Sequence, residues 1–295
     1  MSGMLWLAAV VVLGGCGSGG GNPGATELDQ QHQQAREALA RYDKAVLDAG
    51  GQQGFVPVGE LTSQRGEWEP ANGDNKQALQ SGRVRAATPL GAAPRSTGTV
   101  SWDNGATRVV PLISAEEALA RLAAAGTGDC PECVPLDVVG ARPTTMRIRT
   151  TRGPATVPGW EYTLKGTAVR VTRVAVTSSA AVTVTPPSWD PYNTPSGLGI
   201  ESATTTTTSA RQLTVTFTGT PNRADKPCGA DYSTEAVESA TAVVVIVIMH
   251  PHGANEICTA IGASRTATVE LAQPLGERAV LQVLQGLPVE LTISD

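Results

Sequence analysis

The run AVVVIVIM, Ala242 to Met249, constrains this chain more than any other stretch. Every residue is apolar and those from Val243 to Ile248 are β-branched, side chains that suit a pleated, buried surface better than a helix. The run is strand-sized, far short of the ~20 residues a bilayer-spanning helix requires. Similar alternation surrounds it. From Gln212 onward the chain reads LTVTFTG, RTATVELA, ERAVLQVL and LPVELTI between polar turns. That spacing predicts a small β-sandwich or barrel over 210–295.

Upstream, helical and strand periods mix. Thr26 to Ala49 repeats Leu28, Ala35, Leu39, Tyr42 and Val46 at helical spacing, allows a Glu37–Arg41 pair, and stops at Gly50-Gly51. A short helix is expected over Asn75–Gln80. In TVSWDNGATRVVPLI, Thr99 to Ile113, Asn104-Gly105 predicts a hairpin with a tight primed turn. Ser114 with Glu117 predicts a capping box opening a helix that buries Ala115, Ala118, Leu119, Leu122 and Ala123 and ends at Gly126. Strands are expected over Leu136–Gly140, Met146–Thr151, Thr156–Leu164 and Ala168–Val176, with turns at Arg152-Gly153-Pro154 and Lys165-Gly166. The fold class is therefore α+β. It comprises an N-terminal helix, a mainly antiparallel sheet with one packed helix, and a β-rich C-terminal domain. The proline-rich TPPSWDPYNTPSGLG and the following threonines predict a linker over 185–209, so helix and α+β domain share 26–184.

The first residues carry an address. LWLAAVVVL, Leu5 to Leu13, fits the apolar core of a secretory signal, although MSGM before it has no Lys or Arg. Leu13-Gly14-Gly15-Cys16 matches the lipobox of bacterial lipoproteins: a branched residue, two small ones, then the thiol that takes a diacylglycerol thioether. On this reading 1–15 is a signal peptide and 16–25 a flexible Gly/Ser-rich tether. Acyl chains on Cys16 then hold the protein at the extracytoplasmic face of the cell membrane.

Five cysteines are present. With Cys16 lipidated, four remain, and an even number outside the cytoplasm reads as two disulfides. Three pairings are possible. Cys130–Cys133 and Cys228–Cys258 are favoured because each falls within one expected domain. Asp129-Cys-Pro-Glu-Cys133 has the CxxC spacing of redox proteins, but its helix precedes the motif and offers the negative end of its dipole, which does not stabilise a thiolate.

The net charge of −5, with basic residues scattered singly, argues against nucleic acid as a partner. No GxSxG, SxxK, HExxH or P-loop signature occurs. Weaker constellations remain. Glu67-Trp68-Glu69 offers two carboxylates around an indole, and with Trp160 forms a possible ligand surface. Glu67, Glu69 or Glu161 could serve a carboxylate hydrolase acting on envelope polysaccharide. Met249, His250 and His252 are weak candidates for copper. Trp102 and Trp160 alternate with polar residues and read as core. Trp189 and Tyr192 read as linker aromatics docked on a domain, and His32 as a solvated helix position.

Several segments together resemble a family of actinobacterial-type secreted lipoproteins that has no assigned function. They are GEWEPANGDNKQAL, VPLISAEEAL, CPEC with VPLDVVGAR, TRGPATVPGWEYTL with GTAVRVTRVAV, CGADYSTEAVES with AVVVIV, and ATVELAQPLGERAVL. The resemblance implies an envelope location and no chemistry. The expectation is a lipid-anchored, non-catalytic binding or scaffold module without a cofactor, contacting the membrane through its anchor and a cell-wall polymer or envelope protein through its surface.

Overall fold

The computed structural model describes residues 23–69, 73–91, 96–188, 190–192, 194–254 and 256–293. The signal, Cys16 and the start of the tether lie outside these, as does Trp189. Among the described residues no helix is long and apolar enough to cross a membrane.

Helix α1 covers Pro23–Asp48. Its expected stripe is the buried one: Ala35, Leu39, Tyr42 and Val46 lie in the core and Leu28 packs at its margin. The Glu37–Arg41 pair does not form; Glu37 accepts from Gln33 Nε2 at 2.8 Å instead.

The middle of the chain builds a sheet of eight strands. These are β1 (Pro57–Val58), β2 (Thr62–Arg65), β3 (Val84–Ala86), β4 (Thr97–Trp102), β5 (Thr107–Pro111), β6 (Leu136–Thr150), β7 (Ala155–Leu164) and β8 (Arg170–Val174). The order runs β1-β6-β7-β4-β5. The far edge of β7 is shared, with β4 on its first residues and β8, carrying β2, on its later ones. All pairs are antiparallel except β3 on β6. Helix α2 (Gly73–Gln80) and helix α3 (Ala115–Ala124) cover one face. There Ala78, Ala118, Leu119 and Leu122 meet Trp160, Tyr162, Val171 and the bridged pair Cys130–Cys133. The opposite face gathers Phe55, Trp102, Val157 and Ile148.

Three local details differ from expectation. Leu136–Gly140 and Met146–Thr151 are one continuous strand, β6, running through Pro143. Proline is tolerated because β1 and β3 flank β6 only at its two ends, so Pro143 has a strand partner on the β7 side alone. The Asn104-Gly105 turn is not a primed one, since only Gly105 has positive φ, at 86°. Asp103-Asn104-Gly105 forms a three-residue loop closed by Gly105 N–H to Trp102 O at 3.0 Å. At the start of α3, Ser114 accepts from Glu117 N–H at 3.1 Å as a cap should, while the Glu117 carboxylate meets Arg121 at 2.7 Å instead of closing a capping box. Gly126 is there for space: a Cβ on it would lie 2.3 Å from Gly82 N, where the backbone after α2 crosses the end of α3.

The C-terminal strands are β9 (Ile200–Thr205), β10 (Gln212–Gly219), β11 (Ala230–Glu238), β12 (Ala242–Pro251), β13 (Ala263–Glu270), β14 (Ala279–Gln282) and β15 (Glu290–Ile293). The expected linker therefore gives up residues 200–205 to β9. Two sheets, β13-β10-β9-β15 and β11-β12-β14, stack as a sandwich. On the inner face Val243, Val245 and Val247 pack on Leu213, Val215 and Phe217. On the outer face Ala242, Val244 and Ile246 pack on α1. The apolar run is thus covered on both sides, which explains its lack of alternation. Sequence order had grouped the first helix with the middle strands, yet its core partners are the last strands. Val56 and Val182 of the middle unit join the same cluster and tie the units together.

Replacing Ile246, fully buried beneath α1, by alanine is expected to cost about 2–5 kcal/mol, read as a lower urea midpoint. A cost below that of an exposed substitution such as Val109→Ala would show that the helix–sheet layer contributes little.

Candidate functional site

The Glu67-Trp68-Glu69 stretch follows β2 and folds back on the middle core. Trp68 is half-buried against the α3 cluster and donates Nε1–H to Gln64 at 2.8 Å. Glu69 accepts from Thr167 Oγ1 at 2.8 Å and from Ala168 N–H at 3.1 Å, fastening the turn between β7 and β8. Glu67 is exposed. Trp160 is 3 % exposed and donates to Ile113 O at 3.0 Å. Trp102, equally interior, donates to Thr150 Oγ1 at 2.9 Å. Glu161, 5 % exposed, is held by Arg142 at 2.7 Å. The interior indole and the arginine-bound carboxylate are thus engaged in the fold. Their neighbours around Trp68 fasten a loop.

His250 and His252 lie at the end of β12. His250 Nε2 is 2.7 Å from Ser233 Oγ, and His252 Nδ1 is 3.8 Å from Glu256. Strand alternation sends Met249 to the sandwich face, opposite His250. Cys228, Glu256 and Cys258 bring ligand-type atoms together, but the two sulfurs form the second disulfide, with Cα atoms 5.6 Å apart, and disulfide sulfurs are not thiolate ligands. His32 is no free helix position: Nε2 lies 2.8 Å from Glu235 of β11. Tyr192 is almost fully exposed.

The geometry brings a different set together. A cleft of about 590 Å³ opens between the middle and C-terminal units. One wall is made of two turns, Asp103-Asn104 and Arg152-Gly153-Pro154, joined by Asp103 N–H to Pro154 O at 3.2 Å. The other is β15 with Gly276, Glu277 and Arg278. Arg147 grips Asp103 through its two terminal guanidinium nitrogens. Arg152 and Glu277 meet across the cleft at 3.0 Å, both well exposed. Beneath them, Arg278 and Glu238 form an ion pair with side chains 9 % and 16 % exposed. Arg278 also donates to the carbonyls of Gln273 and Pro274, each at 2.8 Å, and Glu238 accepts from Ala272 N–H at 2.6 Å, so the pair fixes the loop that forms this wall. Burial alone would raise the Glu238 pKa, but the Arg278 and backbone hydrogen bonds outweigh it and hold the carboxyl below its usual range. Strand β15 ends its sheet, so one edge of its backbone is not paired within that sheet.

Chemically the cleft offers both charge signs and strand-edge backbone, a surface for recognition. Sequence reasoning read these residues as turns and strand ends. Nothing local marks them, because the wall exists only once the units are joined. No family model, curated protein or solved structure matches the chain.

Because Glu238 is depressed when folded, its pairing stabilises the protein fully above the ordinary glutamate pKa of ~4.3 and loses that contribution as pH falls through the folded value. Arg278→Met should therefore cost about 3 kcal/mol at pH 7, and the gap to wild type in thermal unfolding should narrow as pH falls below the ordinary glutamate range and Glu238 takes up its proton. A gap that stays constant with pH would rule out the ion pair as its source.

Proposed function

We propose that this is a lipid-anchored extracytoplasmic binding module, without catalysis, that holds an envelope partner in the cleft between its two units. The observation that carries the reading is the cysteine pairing. Cys130 bonds Cys133 and Cys228 bonds Cys258, which leaves Cys16, in its lipobox, as the odd sulfur. Two disulfides belong to an oxidising compartment. The resemblance to secreted lipoproteins of actinobacterial type supports the same location.

The cleft supports the binding role. Its exposed Arg152–Glu277 pair contributes little to stability, on the order of 0–1 kcal/mol, so those charges are available to a ligand at small cost to the fold. The partner is an envelope protein or cell-wall polymer with an extended segment that can lie along β15.

Metabolic labelling with a fatty-acid analogue should mark the wild type and leave Cys16→Ser unlabelled and released from the membrane fraction. In pull-downs on solubilised envelope and purified cell wall, Arg152→Glu should lose most of the retained material while keeping its melting temperature. Equal retention by the variant would remove the cleft from the proposal, and an unlabelled wild type would remove the anchor.

A further inference from the structure

Helix α1 and strand β12 run antiparallel. At one end, Thr241 and Ser239 donate to Asp43 near the helix C-terminus. Further along, His32 meets Glu235, which pairs in register with Ile246. The spacings agree: from His32 to Asp43 the helix advances about 16 Å, and from Thr241 to Ile246 the strand advances about 17 Å. Extending both by the same amount brings Pro23 level with His250, since each step is about 13 Å. The start of the described chain therefore lies at the pole where β12 ends, beside the loop residues 256–262. The middle unit lies at the other pole, where Gln53 accepts from the Tyr42 hydroxyl at 2.7 Å.

That first pole is apolar at its tip. Ile257 is completely exposed, Ile261 is 63 % exposed and Met249 is 48 % exposed. Met249 and Ile261 line one shallow depression with Cys258. The Cys228–Cys258 bridge fastens the loop to the segment between β10 and β11. From His252 to Gly262 the single charged side chain is Glu256. Its carboxylate is engaged within the loop, accepting from Cys228 N–H at 2.6 Å, with His252 nearby. Cys228 itself takes a left-handed backbone, φ 57°. The sequence places Cys16 seven residues before Pro23, so a thioether there lies within about 25 Å of the helix start at full extension.

We propose that this disulfide-fastened loop is a second membrane contact, with Ile257 and Ile261 entering the lipid surface beside the anchor. The proposal rests on the lipidated reading of Cys16. It follows from three observations: the loop presents two exposed isoleucines, its one acid is already hydrogen-bonded to the loop's own backbone partner Cys228, and it lies at the pole where a short tether would bring the bilayer. Two points of attachment fix orientation where one acyl-bearing residue leaves the body free to swing. With α1 standing on this pole, the middle unit is held away from the lipid.

The test uses the full acylated chain carrying Ile257→Trp, reconstituted in phosphatidylethanolamine vesicles with brominated or unbrominated acyl chains. The expected result is a blue shift and loss of the added emission in brominated vesicles. Val109→Trp, at an exposed position on β5, should show neither. Mass analysis of the Cys16 peptide from the same sample reports acylation independently. An acylated chain whose position 257 is unquenched overturns the loop contact and leaves the anchor standing; an unacylated chain overturns the anchor and the proposal with it. Dimerisation through Ile257 without quenching also overturns it, in favour of a second copy as the occupant. The unsubstituted chain gives a parallel readout: amide exchange over 256–262 should slow in vesicles relative to the Cys16→Ser chain in buffer, and unchanged exchange counts against the contact.

Discussion

The structure depends on covering both faces of β12. Val243, Val245 and Val247 enter the sandwich core while Val244 and Ile246 pack beneath α1. Each such side chain contributes about 1.5–3 kcal/mol when buried, and none has a polar atom to offset. Remove either cover and a stripe of β-branched carbon meets water. The pairing of β12 with β11 and β14 fixes which residues face which way, and a slip of one position would exchange the two sets. The helix, both C-terminal sheets and the junction with the middle unit through Val56 and Val182 all follow from that one strand.

Local patterns in the sequence were legible where local chemistry decides. The stripe of α1, the Ser114 cap, the strand alternation in the C-terminal part and both disulfide pairs could be read directly. Reading failed where a distant segment decides. Leu136–Gly140 and Met146–Thr151 read as two strands because local residues do not reveal that β6, at Pro143 between them, has a partner only on the β7 side. Gly126 does follow the cap of α3 at Ala125, but the reason for a glycine there comes from Gly82, far away in sequence. Asn104-Gly105 announced a hairpin correctly but not its loop length, because Asn104 stays in the ordinary backbone region and Gly105 alone turns left-handed.

The same division separates the sites. Trp160 stands out in the sequence as an aromatic among polar neighbours, and the fold uses it for packing and one hydrogen bond to Ile113. Asp103, Arg152, Glu277 and Arg278 look like ordinary turn residues, yet they meet in the cleft because the β4–β5 and β6–β7 turns come together beside the C-terminal unit. The buried Arg278–Glu238 pair keeps that wall in place. Charge buried in this way contributes less to net stability than to a defined geometry: once removed from water, each partner needs the other.

The first helix packs on strands made late in the chain, β12 and β14. A chain made from its amino terminus forward presents Ala35, Leu39 and Tyr42 long before Val244 and Ile246 exist to receive them, and longer still before Leu281 completes the layer. The middle sheet can close in the meantime from contacts of its own. The layer waits on strands made late, so a product cut short before β12 would keep a greasy helix with nowhere to dock, a ready mark for proteolysis.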